Sequence, residues 1–468
     1  MSALTTTVAA AAAAAAALLL WRHHRKSKAK LDGRSTPCII TEIPGPKSRA
    51  LVDRLSQHEC PAITARRARR ADALGAAAAD PIVWDQAAGA AVRDVDGNVF
   101  VDVTSGFGVA TVGHCSEAVT AAAARQIEHQ MIHAMGDAFA DPSRIELLEL
   151  LAQLAPGFPK GILGCSGADA VNAALKTAAL KSGRTGVLAF SGGYHGLANG
   201  ALAPSAYKAD DFRAPFAPQL GDHVTFATFG ELPLPPLRQK GIGCVLVEPI
   251  QGRGGIRSAP AAWLAALRAH CDAEGAVLVF DEIYSGFGRT GSWFAYQQLA
   301  ASGGLSEASC APDMLCLGKA MGGGCPISVC LGTRDVMDAW GASKGEALHT
   351  QTFLGNPLCC AMGLGALREL RRLDAPRLAR SKGEELRTLL VEAGFKPETI
   401  RGAGLMLAVA VANPLRSMAL LLKAGVIALP CGEGGDFAMA LVPPLTITTA
   451  QMRAVVEALA GAEGWREK

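Results

Sequence analysis

The sequence predicts an α/β protein with a large domain on a mostly parallel sheet and a smaller α+β domain toward the C-terminus. Three observations carry this. The chain has 468 residues, more than the roughly 250–300 at which one hydrophobic core stops growing, so two domains are expected. Half of the residues are apolar and 19% are charged, a balance that suits a large buried core. Short continuous apolar runs alternate with helical stretches through the middle of the chain. Strands apolar on both faces belong to a parallel sheet covered by helices.

In chain order, residues 1–35 stand apart. Met1–Trp21 has no charged side chain, Ala9–Ala17 is all alanine, and Arg22, Arg25, Lys26, Lys28 and Lys30 follow. Residues 3–21 are about long enough to span a bilayer, with the basic flank keeping the body of the protein cytoplasmic. The absence of acids before Asp32 also fits a mitochondrial or plastid transit peptide. A low-complexity tail with no address is the third reading. Residues 36–110 form a segment expected to join the small domain. Pro44-Gly45-Pro46 breaks structure, and Asp94–Asn98 reads as a hairpin turn between Ala91–Arg93 and Val99–Val101.

The large domain is placed at residues 111–360. Its strands are Ile162–Cys165, Val187–Phe190, Cys244–Val247, Ala276–Phe280, Met314–Leu317 and Ile327–Leu331. Helices are expected at Ala168–Leu180 and at Ala261–Glu274, the second stopped by Gly275. Residues 361–468, helices with short strands and Pro443-Pro444 near the end, make the small domain. A net charge of +3 without a basic, aromatic-interleaved patch argues against nucleic acid. Thirteen scattered cysteines lack zinc-site spacing, so free thiols in a reducing compartment and no metal are expected.

In parallel sheets, ligands gather outside the carboxyl ends of the strands. Glu248 and Asp281 end apolar runs there, and Lys319 follows a third after a single glycine. Ser166-Gly167-Ala168-Asp169 reads as a capped helix start; Gly167 also permits close backbone approach, so the first N–H groups can bind a phosphate. Tyr194, one of only four tyrosines, sits among glycines, either anchoring its own loop or offering a ring for stacking. Asp281 can cap a turn or hold a ring nitrogen protonated, with Ile283 two positions on to press on the ring face. A desolvated Lys319 can present a neutral amine for Schiff-base chemistry, whereas a lone lysine at a strand end is usually solvated. Together, phosphate loop, stacking ring, ring-nitrogen acid and lysine account for every part of pyridoxal 5'-phosphate (PLP).

From about Pro44 onward the chain resembles the class III, ω-amino-acid type aminotransferases of PLP fold type I. The matching motifs include Ser105-Gly106-Phe107 with Gly113-His114, Ser166–Ala170, Gly193-Tyr194-His195-Gly196 and Glu248-Pro249-Ile250-Gln251-Gly252. They continue with Asp281–Tyr284, Gly286–Gly291, Gly318-Lys319-Ala320, Thr352–Pro357 and Arg401–Met406. The resemblance implies transamination between an amine or amino acid and a 2-oxo acid or aldehyde. It makes Lys319 the Schiff-base lysine and proton carrier and Asp281 the partner of the pyridine N–H. It puts Tyr194 and Ile283 on the two ring faces and Gly167 and Ala168 on the phosphate, and has Glu248 steady the region of the ring hydroxyl. It also implies a homodimer in which Thr352 reaches the partner's phosphate site. Racemase, aminomutase or decarboxylase chemistry on the same scaffold is the alternative, since fold does not fix reaction. A non-catalytic tethered scaffold is the remote alternative; loss of Lys319 or Asp281 would have favoured it, and both are present.

Three departures bear on substrate. Ala440 and Leu197 stand where family members that clamp carboxylates carry arginines, and Arg253 stands where several carry a glutamate. Arg253 is then the expected carboxylate partner, unless it only salt-bridges at the surface of its glycine-rich turn.

Overall fold

The computed structural model describes residues 30–61, 63–64 and 81–463. The apolar stretch 3–21, for which a membrane or targeting role is expected, lies outside these. Among the described residues no helix is long and apolar enough to cross a membrane.

After a short helix, Pro46–Ser56, strands β1 (Trp84–Ala88), β2 (Ala91–Asp94) and β3 (Val99–Asp102) form an antiparallel meander. Its β2–β3 turn is the predicted one. Gly97 sits at φ 97°, and the Asp94 carboxylate accepts the N–H groups of Asp96 and Asn98. The left-handed position needs glycine, and the aspartate satisfies the turn's free donors.

The central layer has seven strands: β4 (Lys160–Gly164), β5 (Gly186–Phe190), β6 (Val224–Ala227), β7 (Ile242–Val247), β10 (Val277–Asp281), β11 (Met314–Leu317) and β12 (Ser328–Gly332). Between β7 and β10 the chain makes the small hairpin β8 (Ile250–Gln251) and β9 (Arg257–Ser258). The order across the large sheet is β4-β12-β11-β10-β7-β5-β6. All these strands run parallel except β12, which pairs antiparallel with both β11 and β4. Strands β7, β10, β11 and β12 are buried along their whole length, as their unbroken apolar runs require. The helices Gly167–Ser182 and Ala261–Glu274 end at left-handed glycines, Gly183 and Gly275.

Beyond this layer come the helices Pro357–Arg372 and Ala375–Glu392 and a four-stranded antiparallel sheet. That sheet comprises β13 (Ile400–Ala403), β14 (Met406–Ala410), β16 (Leu429–Cys431) and β17 (Ala438–Leu441), in the order β13-β14-β17-β16. Strand β15 (Val426–Ile427) instead joins β3 in parallel, so the chain's late residues complete the early meander. Arg289 ties these parts together. It is 1% exposed, and its guanidinium donates to Thr111 Oγ1 at 2.8 Å and to the carbonyl of Pro443. Burial pulls it down to about 10.

Candidate active site

The site is built at the carboxyl ends of the parallel strands. Across the adjacent strands β11, β10, β7 and β5, the chain delivers in turn Lys319, Asp281, Glu248 and the Tyr194-His195 loop. From β4 comes the start of the Gly167–Ser182 helix, with a complete capping box. Ser166 Oγ accepts the Asp169 N–H at 3.3 Å, and Asp169 Oδ2 accepts the Ser166 N–H at 2.8 Å. The cap satisfies these donors; those of Gly167 and Ala168 have no intrahelical carbonyl to bond.

One cavity of about 330 Å³ collects these groups. Gly167, Ala168, Tyr194, Glu248, Arg253, Asp281, Ile283 and Lys319 all line it, together with His195, Leu197 and Tyr284. Thr352 does not; it lies in an exposed turn of the segment leading to the Pro357–Arg372 helix. Ala440 is buried in β17 and is not part of the cavity wall.

Asp281 is 5% exposed, and its Oδ2 lies 2.8 Å from His195 Nδ1. Its Oδ1 accepts the Ile283 N–H at 3.1 Å, which turns the chain so that Asp281 and Ile283 face the same space. Glu248 serves two loops: Oε1 accepts the Tyr194 N–H at 2.8 Å and Oε2 the Gly252 N–H at 3.0 Å. Burial, and then the nearby Asp281 charge, push Glu248 up to about 7, against the pull of His195 and the two backbone donors. Glu282, fully buried on the far side, is also raised by burial to about 7 while accepting from Ser285 Oγ and the N–H groups of Ala295 and Tyr296.

Lys319 has φ 43°, a left-handed conformation for a residue with a Cβ, which costs on the order of 1–3 kcal/mol and persists only where the surroundings impose it. Its Nζ lies 3.9 Å above the centroid of the Tyr284 ring. Burial, reinforced by Arg253, pulls the amine down to about 8 against the opposing charges of Asp281 and Glu248. Tyr284 is held between two glycines: a Cβ on Gly108 would come within 2.5 Å of the ring, and one on Gly252 within 2.2 Å. A side chain at either place would displace the surface on which the lysine rests.

Arg253 points into the cavity. Its Cζ is 5.3 Å from the ring centroids of both Tyr194 and Tyr207, which meet edge to face. Its Nε is buried without a partner, and among the described residues no carboxylate lies within ion-pair distance. The surface salt bridge open to it in the sequence is absent from this arrangement.

The cavity fits PLP on its own geometry. Gly167 leaves a cradle at a helix N-terminus, where an added Cβ would meet Ile283 Cδ1 at 2.9 Å. That start has free backbone donors for a phosphate, a buried carboxylate is available for a ring N–H, and a partly deprotonated amine stands nearby. His195, Tyr207 and Tyr284 carried no assigned role in the sequence. Three of the chain's four tyrosines are at or beside this cavity, a bias the composition alone contains.

Comparison with known proteins agrees with this geometry. Residues 74–462 match the family model described as aminotransferase class-III. The acetylornithine aminotransferase of Methanopyrus kandleri is 33% identical over 389 residues, 82% of this chain and 94% of that protein. That of Methanosarcina acetivorans is 32% identical over 81% of this chain and 91% of its own. Among solved structures, the ornithine aminotransferase of Toxoplasma gondii has a TM-score of 0.75 at 26% identity, covering 91% of this chain and 97% of that one. An amine transaminase from an uncultivated Pseudomonas species, in its PLP-bound form, has a TM-score of 0.71 at 27% identity over 82% and 95%.

Proposed function

This chain belongs to the class III aminotransferases and is a PLP-dependent transaminase of fold type I; from that premise we propose that Lys319 carries the cofactor and that Arg253 receives the carboxylate of one substrate. The proteins compared above are all aminotransferases or transaminases, and none is a racemase, aminomutase or decarboxylase. When bound, PLP supplies an electron-withdrawing ring that weakens the bonds at the substrate's amino-bearing carbon.

The chain's own residues do the rest. The N–H groups of Gly167 and Ala168 hold the phosphate. Asp281, steadied by His195, holds the ring N–H. Tyr194 and Ile283 bound the two ring faces, and Glu248 locks the Tyr194 loop to Gly252 behind them. Lys319, pulled down to about 8, is neutral often enough near neutral pH to attach the cofactor and to take up and return a proton at Nζ.

The observation that carries this reading is one cavity of about 330 Å³ that brings the Lys319 amine together with Asp281 and the Gly167 helix start. Borohydride treatment of the yellow holoenzyme should fix the cofactor on Lys319, and Lys319→Ala should lose nearly all amino transfer. Labelling of another lysine would refute the assignment.

For substrate, the reading is a 2-oxo or amino acid bound through Arg253 in one half-reaction. Leu197, half-exposed at the rim, admits an apolar or ω-amino partner in the other. Ornithine and N-acetylornithine, named by the relatives' activities, belong in the first donor panel.

Assembly as a homodimer rests on a surface feature. Met131, Ile132, Met135, Phe139, Leu348 and Phe353 are exposed large apolar side chains. Asn356 Nδ2 donates to the Ile132 carbonyl at 3.0 Å and Thr350 Oγ1 to Asp137 at 3.0 Å, which places the two segments side by side. An apolar face of this kind marks an interaction surface, and Thr352 lies within it, available to a partner's phosphate site. Thr352→Ala should weaken PLP retention without unfolding the chain. A fully active monomer would refute this arrangement.

A further inference from the structure

Two thiols outside the cavity lie in contact. Cys325 Sγ and Cys359 Sγ are 3.2 Å apart across 34 residues of chain, and both side chains are half-buried. Cys325 ends the glycine stretch that follows Lys319, directly after Gly323 at φ 59° and Gly324 at φ 117°, and its N–H donates to the Gly322 carbonyl. The neighbouring Gly324 and Pro326 are exposed, so the segment is reachable from solvent. Cys359 sits in the first turn of the Pro357–Arg372 helix, with its N–H held by the Asn356 side chain at 3.1 Å.

We propose that Cys325 and Cys359 form a reversible intrachain disulfide that tethers the segment following Lys319 to this helix. A disulfide has an S–S length near 2.05 Å, so the sulfurs must close by roughly 1.2 Å, a shift that side-chain rotation and a backbone preceded by glycines can supply. The two sulfurs are within hydrogen-bond reach, and either thiol can donate to the other. A third thiol nearby, Cys165, is raised by burial and by Asp169. Cys325, flanked by exposed Gly324 and Pro326, is the more accessible of the pair and is assigned as the first nucleophile.

The oxidant is a small-molecule disulfide, such as that of glutathione. The Cys325 thiolate attacks one of its sulfurs and expels one thiolate, leaving a mixed disulfide. The Cys359 sulfur gives up its proton, attacks Cys325 Sγ and expels the second thiolate. Two protein thiols are oxidised by two electrons, one small disulfide is reduced to two thiols, and the two protons pass to them. The tether anchors Cys325, the residue that follows Gly322–Gly324 and lies six positions after Lys319, the residue proposed to hold the cofactor. The tether thereby restricts opening of that segment, and any cofactor loss that needs such opening should slow.

The test uses full-length holoenzyme incubated with glutathione disulfide, then alkylated and digested without reductant. A linked Cys325–Cys359 peptide that dithiothreitol removes is expected. Oxidation should raise the melting temperature by a few degrees and slow cofactor loss on dialysis several-fold. Cys325→Ser should abolish link and shifts together, and Cys359→Ser should leave a stable glutathione adduct on Cys325. No linked peptide in the folded protein, or one formed only after denaturation, would overturn the disulfide. A link that leaves cofactor loss unchanged would overturn its coupling to the Lys319 segment. Neither result bears on the assignment of Lys319 itself, which the borohydride label tests separately.

Discussion

Replacing Arg253 with lysine separates the two half-reactions. The guanidinium is aimed into the cavity between the Tyr194 and Tyr207 rings, 5.3 Å from each centroid, and its Nε has no partner. Burying a substrate carboxylate without a cation costs several kcal/mol, so the acid must find this group. Lysine keeps a charge but loses the planar fork that binds a carboxylate through two parallel hydrogen bonds. A charge-assisted hydrogen bond contributes about 1.5–3 kcal/mol, and each ring contact about 0.5–1 kcal/mol to holding the cation in place. The loss of one good hydrogen bond then raises the apparent KM for the 2-oxo acid roughly ten- to a hundredfold. An amine donor without a carboxylate does not meet Arg253, so its KM should change by roughly twofold at most. The assay is steady-state kinetics of Arg253→Lys, varying the acid at saturating amine and then the amine at saturating acid. Equal shifts in both constants, or none in either, would refute Arg253 as the carboxylate partner.

Other expectations follow from the same geometry. His195→Asn removes the imidazole 2.8 Å from Asp281 and should weaken PLP binding by about 1–3 kcal/mol, read by titrating apoenzyme with cofactor; unchanged affinity would show that His195 does not steady Asp281. With Lys319 pulled down to about 8, its reactive neutral form grows as pH rises, so cofactor capture by apoenzyme should increase with pH and level off above about 8. A midpoint near the ordinary lysine value would contradict this. Gly252→Ala sets a Cβ 2.2 Å from Tyr284, and the overpacking should cost about 1–3 kcal/mol of stability and displace Lys319 from its resting surface, lowering borohydride labelling. Normal labelling at normal melting temperature would show that the ring gives way freely. Glu282 is raised by burial to about 7, so the folded protein binds its proton more tightly than the unfolded chain does. Its contribution therefore favours folding at low pH and is lost as pH rises from the ordinary glutamate value of 4.5 toward 7. Glu282→Gln should flatten the melting-temperature profile in that window, and an unaltered slope would refute the assignment.

Much of the molecule was legible in the sequence for local reasons. Strands buried on both faces must be apolar throughout, so β7, β10 and β11 announced themselves and, with them, the strand ends where Glu248, Asp281 and Lys319 stand. The Ser166–Asp169 cap and the Asp94–Asn98 turn are short-range hydrogen-bond patterns, readable at their own spacing. The class of chemistry was also legible, because PLP needs a lysine, an acid and a phosphate cradle, and Lys319, Asp281 and the Ser166–Asp169 helix start supply all three beside predicted strands.

Tertiary structure decided what depends on contacts between distant segments. Nothing near His195 indicates that its ring meets Asp281, 86 residues away, or that Tyr284 lies between Gly108 and Gly252. The direction of β12 is another such case. An apolar run has the same composition either way, and only its pairing with β11 and β4 makes it antiparallel. The surroundings of Arg253 were open in the sequence between a surface ion pair and a cavity cation. Packing of the Tyr194 and Tyr207 rings around it, with no acid in ion-pair reach among the described residues, selects the cavity. The same holds for Cys325 and Cys359, unremarkable by spacing and 3.2 Å apart in space. In each case the deciding quantity is a distance across the fold, which residue type and spacing along the chain do not encode.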